Sequence, residues 1–230
     1  MSSLTAVALG ATPIDQLPKV LWPALIESLV MTGASFALSV VIGIPIALIL
    51  VVTAPDGLRP SRLVYGSLGW IVNVGRSLPF IILLIALIPV TRLLIGTAIG
   101  VAGALVPLTV GGAAYFARLA EAALREVPRD VVDVALASGS TLLQTTRKVL
   151  LPEALPALLS AGTVLAVGTL AFSAMAGAVG AGGLGDLAIA YGYLRFDNTV
   201  TFATVILLIV IVQVIQVCGD VAVRIASAHR

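Results

Sequence analysis

Charge is scarce in this chain. Only 10% of its 230 residues are charged, against about 25% in a soluble domain. That excludes an ordinary soluble globular fold. Long apolar runs almost free of charge indicate instead a polytopic α-helical membrane protein. The single cysteine, Cys218, lies in an apolar run, so no intrachain disulfide can form and no redox inference follows. The single histidine, His229, is the penultimate residue and reads as a solvated tail residue, which leaves no basis for a histidine-centred active site. A net charge of +2, with its cations spread between the apolar runs, is too small to argue for a nucleic-acid partner, and none is expected. No G-x-x-x-x-G-K-[ST] occurs, so the chain does not hold ATP by a phosphate loop of that kind. Gly180, Gly182 and Gly185 do spell G-x-G-x-x-G. No strand precedes them and they lie at a membrane exit, so a dinucleotide site is excluded. The small residues from Ala174 to Gly183 suit close helix packing or a backbone gate. The apolar runs hold no paired acids, metal cluster or nucleophile–base set, which argues against catalysis. Asp186, Arg195 and Asp197 are left as polar residues outside them.

Hydropathy divides the chain into an N-terminal lead, 1–24, a membrane domain, 25–223, and a tail, 224–230. No basic region precedes the first apolar run, which is too long for a signal peptide. Spans are expected at about 25–52, 67–91, 95–118, 154–180 and 199–223. Trp22 and Pro23 mark the first as an interfacial aromatic and a helix-start proline. Pro55, Asp56 and Gly57 end that span with turn chemistry. The third span runs into a charged helical extension from Arg118 to Glu126. Gly43, Pro45, Pro79, Pro89, Pro107, Gly162 and Gly168 interrupt the spans, as is common in transporters and, more generally, in membrane helices.

Five spans place the termini on opposite sides. One side holds nine cations: Arg59, Arg62, Arg118, Arg125, Arg129, Arg147, Lys148, Arg224 and Arg230. The other holds three: Lys19, Arg92 and Arg195. By the positive-inside rule the loop at 118–151 and the C-terminus are cytoplasmic and the N-terminus is outside. Arg76 is left within the second span, where a guanidinium costs about 2.5–3.5 kcal/mol on insertion scales. It reads either as facing a bundle interior or water-filled path, or as snorkelling to the cytoplasmic headgroups. Met175, taken alone, reads as core filler.

The loop at 128–152 reads as two short helices joined by a bend. Pro128 marks the entry, Asp130 is an expected N-cap, and Asp133 completes a capping box. Gly139 fits a left-handed C-terminal cap. Thr141 and Gln144 repeat the box spacing, and Pro152 suits the first turn of the next span. An ordinary helical loop has the same signals. The expected fold is all-α: a polytopic membrane protein with five transmembrane helices and a cytoplasmic two-helix loop.

Asp133, Val134 and Ala135, then three residues, Gly139, nine residues and Val149, Leu150, Leu151, Pro152 resemble the E-A-A-x3-G-x9-I-x-L-P signature. That signature marks the membrane subunits of bacterial ABC importers. The chain departs from it at Asp133, Val134 and Val149 and keeps every spacing. A wider resemblance covers Gly75–Pro89, Val106–Val110, Ala117–Leu119, Ser173–Gly180, Gly182–Asp186 and Tyr191–Tyr193. These segments look like methionine-importer permease subunits.

The resemblance implies the type I ABC importer permease fold in the bacterial cytoplasmic membrane. It implies a second copy of the chain, two ABC ATPase subunits and an extracytoplasmic substrate-binding protein. No cofactor would be bound by this chain, and ATP and Mg would sit on the partner ATPase. Asp133, Ala135, Gly139, Ser140, Val149, Leu151 and Pro152 would couple to the ATPase. Arg76, Ser173, Met175 and Gly177 would line the translocation pathway or gate. No catalytic or metal residue is expected. The function implied is methionine import by alternating access. A permease for another amino acid or small solute, a membrane enzyme and a passive channel are the alternatives.

Overall fold

Residues 12–228 are described, in a computed structural model. They are helical throughout, with turns between. After a 3-10 turn at Ile14–Gln16 come α1 (Leu17–Thr53), α2 (Arg62–Ser77), α3 (Phe80–Ala86), α4 (Ile88–Ile95) and α5 (Gly100–Arg125). Then follow α6 (Arg129–Ala137), α7 (Leu142–Thr145), a π turn at Thr146–Leu150 and α8 (Leu151–Gly177). The chain ends with α9 (Gly183–Leu187), a second π turn at Ala188–Tyr193 and α10 (Asn198–Ser227).

Four stretches are long and apolar enough to cross a membrane: Ile14–Thr53, Gly100–Arg125, Leu142–Gly177 and Asn198–Ser227. The fifth span exists only if α2 and α3 are joined across their break. The break has a local cause. Leu78 precedes Pro79, whose ring excludes the helical region for the residue before it. Leu78 accordingly takes φ −80°, ψ 131° and ends α2, and Pro79 caps α3. The expected continuous second span over 67–91 is therefore three short helices.

Other boundaries also move. The first span starts at Leu17, with Pro18 in its first turn, so Pro23 lies inside α1 rather than opening it. The third begins at Gly100 and carries its helix through the charged extension to Arg125. The fourth ends at Gly177. His229 and Arg230 of the predicted tail, and residues 1–11 of the lead, lie outside the described residues.

Two units make up the molecule. One comprises the chain up to Phe36 with Pro79–Thr109 and Ala166–Ile215. Its core joins Met31, Phe80, Leu84, Ala104, Leu108, Ala176 and Ala181, with the Phe80 and Phe172 rings stacked 4.7 Å apart. The other comprises Ala37–Leu78, Val110–Leu165 and the chain from Gln216 onward. There Leu50, Val72 and Ala117 pack with Ile46, Tyr65 and Leu68. Gly43 lets α1 approach the Phe116 ring so closely that a Cβ would sit 2.8 Å from it. Val41, Ile206 and Val217 stay exposed on α1 and α10. Lipid or another chain covers such faces in a membrane protein.

Candidate functional site

The turn between α6 and α7 closes as a Schellman motif. Gly139, at φ +82°, donates its N–H to Leu136 (3.0 Å), and Ser140 donates to the Ala135 carbonyl (3.2 Å). This pair of bonds needs a left-handed residue after the helix, which glycine adopts without a Cβ penalty. Three of the expected coupling residues, Ala135, Gly139 and Ser140, thus form one closure. The Thr141–Gln144 capping box is present: each side chain takes the other's backbone N–H.

The Asp130–Asp133 box is not present. Pro128 is the N-cap, with no side-chain cap bond. Asp130 is already helical at the second position, so its carboxylate lies past the N-cap geometry that such a bond requires. It still sits in the first turn, where the helix dipole favours an acid. Asp133 is exposed and lines a cleft of about 320 Å³ with Asp56, Leu58, Val132 and Leu136.

The second short helix is not separate from the span. α7 passes through the π turn, where Leu151 donates to the Thr146 carbonyl, directly into α8. The cause is Pro152. In an α ladder its ring meets the carbonyl four residues back, at Lys148. The wider π turn just ahead of it relieves that contact. Val149 lies in the π turn, and Leu151 and Pro152 open α8. Val134 on α6 and Leu143 on α7 are exposed apolar side chains on this otherwise polar turn.

A charged brace anchors the entry to α6. Glu121, only 4% exposed, accepts from Arg118 (2.6 Å), from Arg125 (3.1 and 3.3 Å) and from the Tyr65 hydroxyl (3.4 Å). Arg118 also donates to the Gly69 carbonyl (2.9 Å). Asp56, between α1 and α2, accepts from Arg125 (3.3 Å) and from Arg129 (2.6 Å), the first residue of α6. A hydrogen bond from the Asp56 backbone, with both guanidiniums, holds its carboxyl below the ordinary value. The exposed Asp56 pairs contribute little stability. The Glu121 hub is buried, and removing it leaves Arg118 without an acidic partner. These roles of Glu121 and Asp56 are not among those expected from the sequence. The spacing Arg118, Glu121, Arg125 was the available signal, since residues three and four apart share a helix face.

The expected gate residues divide. Ser173, 1% exposed, donates to the Leu170 carbonyl (2.8 Å) and accepts from Thr32 (3.4 Å), within the packing against α1. Met175 is half-exposed, and two residues along the helix sets it on a different face. Gly177 ends α8, where a Cβ would collide with the Asp186 backbone nitrogen. Arg76 is exposed at the last turn of α2.

Beyond Gly177, the glycine run folds back onto α1. Glu27 accepts the Gly183 N–H (2.7 Å) and Ser28 accepts the Leu184 N–H (2.8 Å), capping α9 from another helix. Glu27 is the lone acid of the first apolar run, a placement that itself marks a residue with a task.

Asp197, 1% exposed, ties the loop before α10 to the lead. It accepts from the Thr12 N–H (2.7 Å) and hydroxyl (2.5 Å) and from the N–H groups of Thr199 (3.0 Å) and Val200 (3.2 Å). Burial alone raises its carboxyl, but these donors outweigh it and hold the group below the ordinary value. Arg195 stacks over the Tyr191 ring at 4.3 Å. Among the described residues no three His, Cys, Asp or Glu are grouped to hold a metal.

Comparison with known proteins identifies relatives over most of the chain. Residues 39–229 match the family described as binding-protein-dependent transport system inner membrane component. The chain is 49% identical to the probable D-methionine transport system permease protein MetI of Vibrio cholerae over 198 residues, 86% of this chain and 88% of that one. It is 46% identical to the D-methionine transport system permease protein MetI of Escherichia coli K12 over 151 residues, 66% of this chain and 70% of that one. A solved structure of the MetNI methionine ABC transporter in inward-facing conformations superposes with a TM-score of 0.91. It is 43% identical and the match covers 94% of this chain and 99% of that one.

Proposed function

This chain belongs to the family of binding-protein-dependent transport system inner membrane components, and we propose that it is the permease subunit of an ATP-driven methionine importer. It is a transport subunit; ATP hydrolysis belongs to separate ATPase subunits. The observation that carries the reading is the Schellman-closed turn at Gly139, which holds α6 and α7 outside the spans with Val134 and Leu143 uncovered. Such a turn suits insertion into a cleft of an ABC ATPase subunit, with ATP and Mg bound there.

In this reading two copies of the chain form the pathway and two ATPases dock on their cytoplasmic turns. A substrate-binding protein docks outside, against the loop from Asp186 to Asn198. The N-terminus is outside and the C-terminus cytoplasmic. Asp133, Ala135, Gly139 and Ser140 receive the ATPase movement. Val149, Leu151 and Pro152 pass it along one helix into α8. Met175 from each copy narrows the pathway, while Ser173 and Gly177 hold the α8 backbone at the gate. Arg76 faces the pathway.

The test is uptake by proteoliposomes holding the permease with its ATPases and binding protein. ATP-dependent methionine accumulation is expected. Accumulation of a different amino acid in place of methionine refutes the substrate, and accumulation without ATP refutes the importer.

A further inference from the structure

α2 carries a cation that no other group of the described chain neutralises. Arg76 makes no ion pair among the described residues. It opens on a recess of about 580 Å³ that Tyr65, Trp70, Asn73 and Arg118 also line. Arg118 adds no free charge there, because Glu121 (2.6 Å) and the Gly69 carbonyl (2.9 Å) already engage it. The recess therefore has one net positive charge beside an indole, a phenol and an amide.

We propose that this recess is a station for the α-carboxylate of the transported amino acid. The proposal rests on the importer reading above. A guanidinium presents a planar fork that matches two carboxylate oxygens, which an ammonium does not. Arg76 holds the carboxylate. The Asn73 side-chain carbonyl, one helical turn away, accepts a hydrogen bond from the ammonium group. Trp70 covers the apolar side chain, and a thioether packs well on an aromatic ring.

The position favours a solute over a lipid phosphate. Within the largely apolar stretch 63–95, thirteen residues precede Arg76 and nineteen follow it. Thirteen residues of helix are about 20 Å, beyond the reach of an arginine side chain to headgroups at the start of α2. An arginine so placed normally faces protein or a water-filled cavity.

The test uses the complex purified with its ATPase subunits and a diazirine analogue of methionine. After irradiation, label is expected in the segment 62–76, displaced by methionine and not by methioninol, which lacks the carboxylate. Arg76→Gln should lower both label and uptake by about tenfold or more, as loss of a charged hydrogen-bond pair does. Arg76→Lys should keep part of both, and the ATPase should still co-purify with either variant. Label elsewhere in a complex that imports methionine normally overturns the station. So does equal displacement by methioninol, or unchanged uptake by Arg76→Gln. Loss of a bound phospholipid from Arg76→Gln, with label and uptake intact, makes it a lipid site and overturns the proposal. Failure of the wild-type complex to import methionine overturns the substrate reading instead.

Discussion

Gly139 is the position at which backbone conformation and transport are most directly linked. Its φ of +82° belongs to the left-handed region, and a Cβ built there meets nothing within 4 Å. Space is therefore not the constraint within the chain; conformation is. Holding an ordinary L-residue in that region costs about 1–2 kcal/mol, which lowers the ratio of closed to open turn about five- to thirtyfold. Asparagine tolerates the region, alanine carries the basic penalty, and valine adds the crowding of a branched Cβ. The expected order is Gly139→Asn near wild type, Gly139→Ala impaired several-fold and Gly139→Val most impaired. The assay is the ratio of methionine imported to ATP hydrolysed in proteoliposomes, with ATPase co-purification as the assembly check. A valine variant with a normal ratio and normal assembly refutes the reasoning. An asparagine variant as damaged as valine also refutes it, because then the side chain itself obstructs docking.

Three further outcomes are expected. Glu121→Gln leaves Arg118 and Arg125 without their buried acid and should destabilise the subunit by about 3 kcal/mol, the low end for breaking a buried pair, since Arg125 keeps partial solvent access. Thermal unfolding in detergent checks this, and a melting temperature equal to wild type contradicts it. Asp197 has a lowered folded value, so its stabilisation is complete above its unfolded value of 3.8 and is lost as pH falls through the folded one. The melting gap between wild type and Asp197→Asn should therefore hold between neutrality and about pH 5 and close only below 3.8; closure near pH 6 would reject this account. Gly185→Ala drives a methyl into the Ala174 carbonyl and should prevent isolation of a monodisperse protein. Gly33→Ala meets nothing within 4 Å and should leave size-exclusion behaviour unchanged.

Much of the architecture was legible because lipid makes the rules simple. A long apolar run must satisfy its backbone as a helix, so the four long spans and the polar turn at 128–152 could be read directly. Gly139 and the Thr141–Gln144 box were legible because their chemistry is local. What escaped depended on context. Pro79 was seen inside a span, but whether a proline bends or breaks a helix depends on its neighbours: Pro107 stays inside an unbroken α5. The Asp130 cap failed because Pro128 already supplied the extended residue before α6. Glu27 and Ser28 cap a helix more than 150 residues away, a pairing that no local pattern contains.

The unbroken run from Leu142 to Gly177 has a consequence in plain length. Its 36 residues make about 54 Å of helix, while the hydrocarbon core is about 30 Å thick. Tilt absorbs part of the difference. The remainder has to project into water as a stalk continuous with the span. A protein pressing on that stalk works at a distance from the lipid and needs no hydrophobic surface of its own for the membrane. Because a helix transmits rotation about its axis as well as push and pull, a small turn at Leu142 would reach Met175 as a change in the direction its side chain faces.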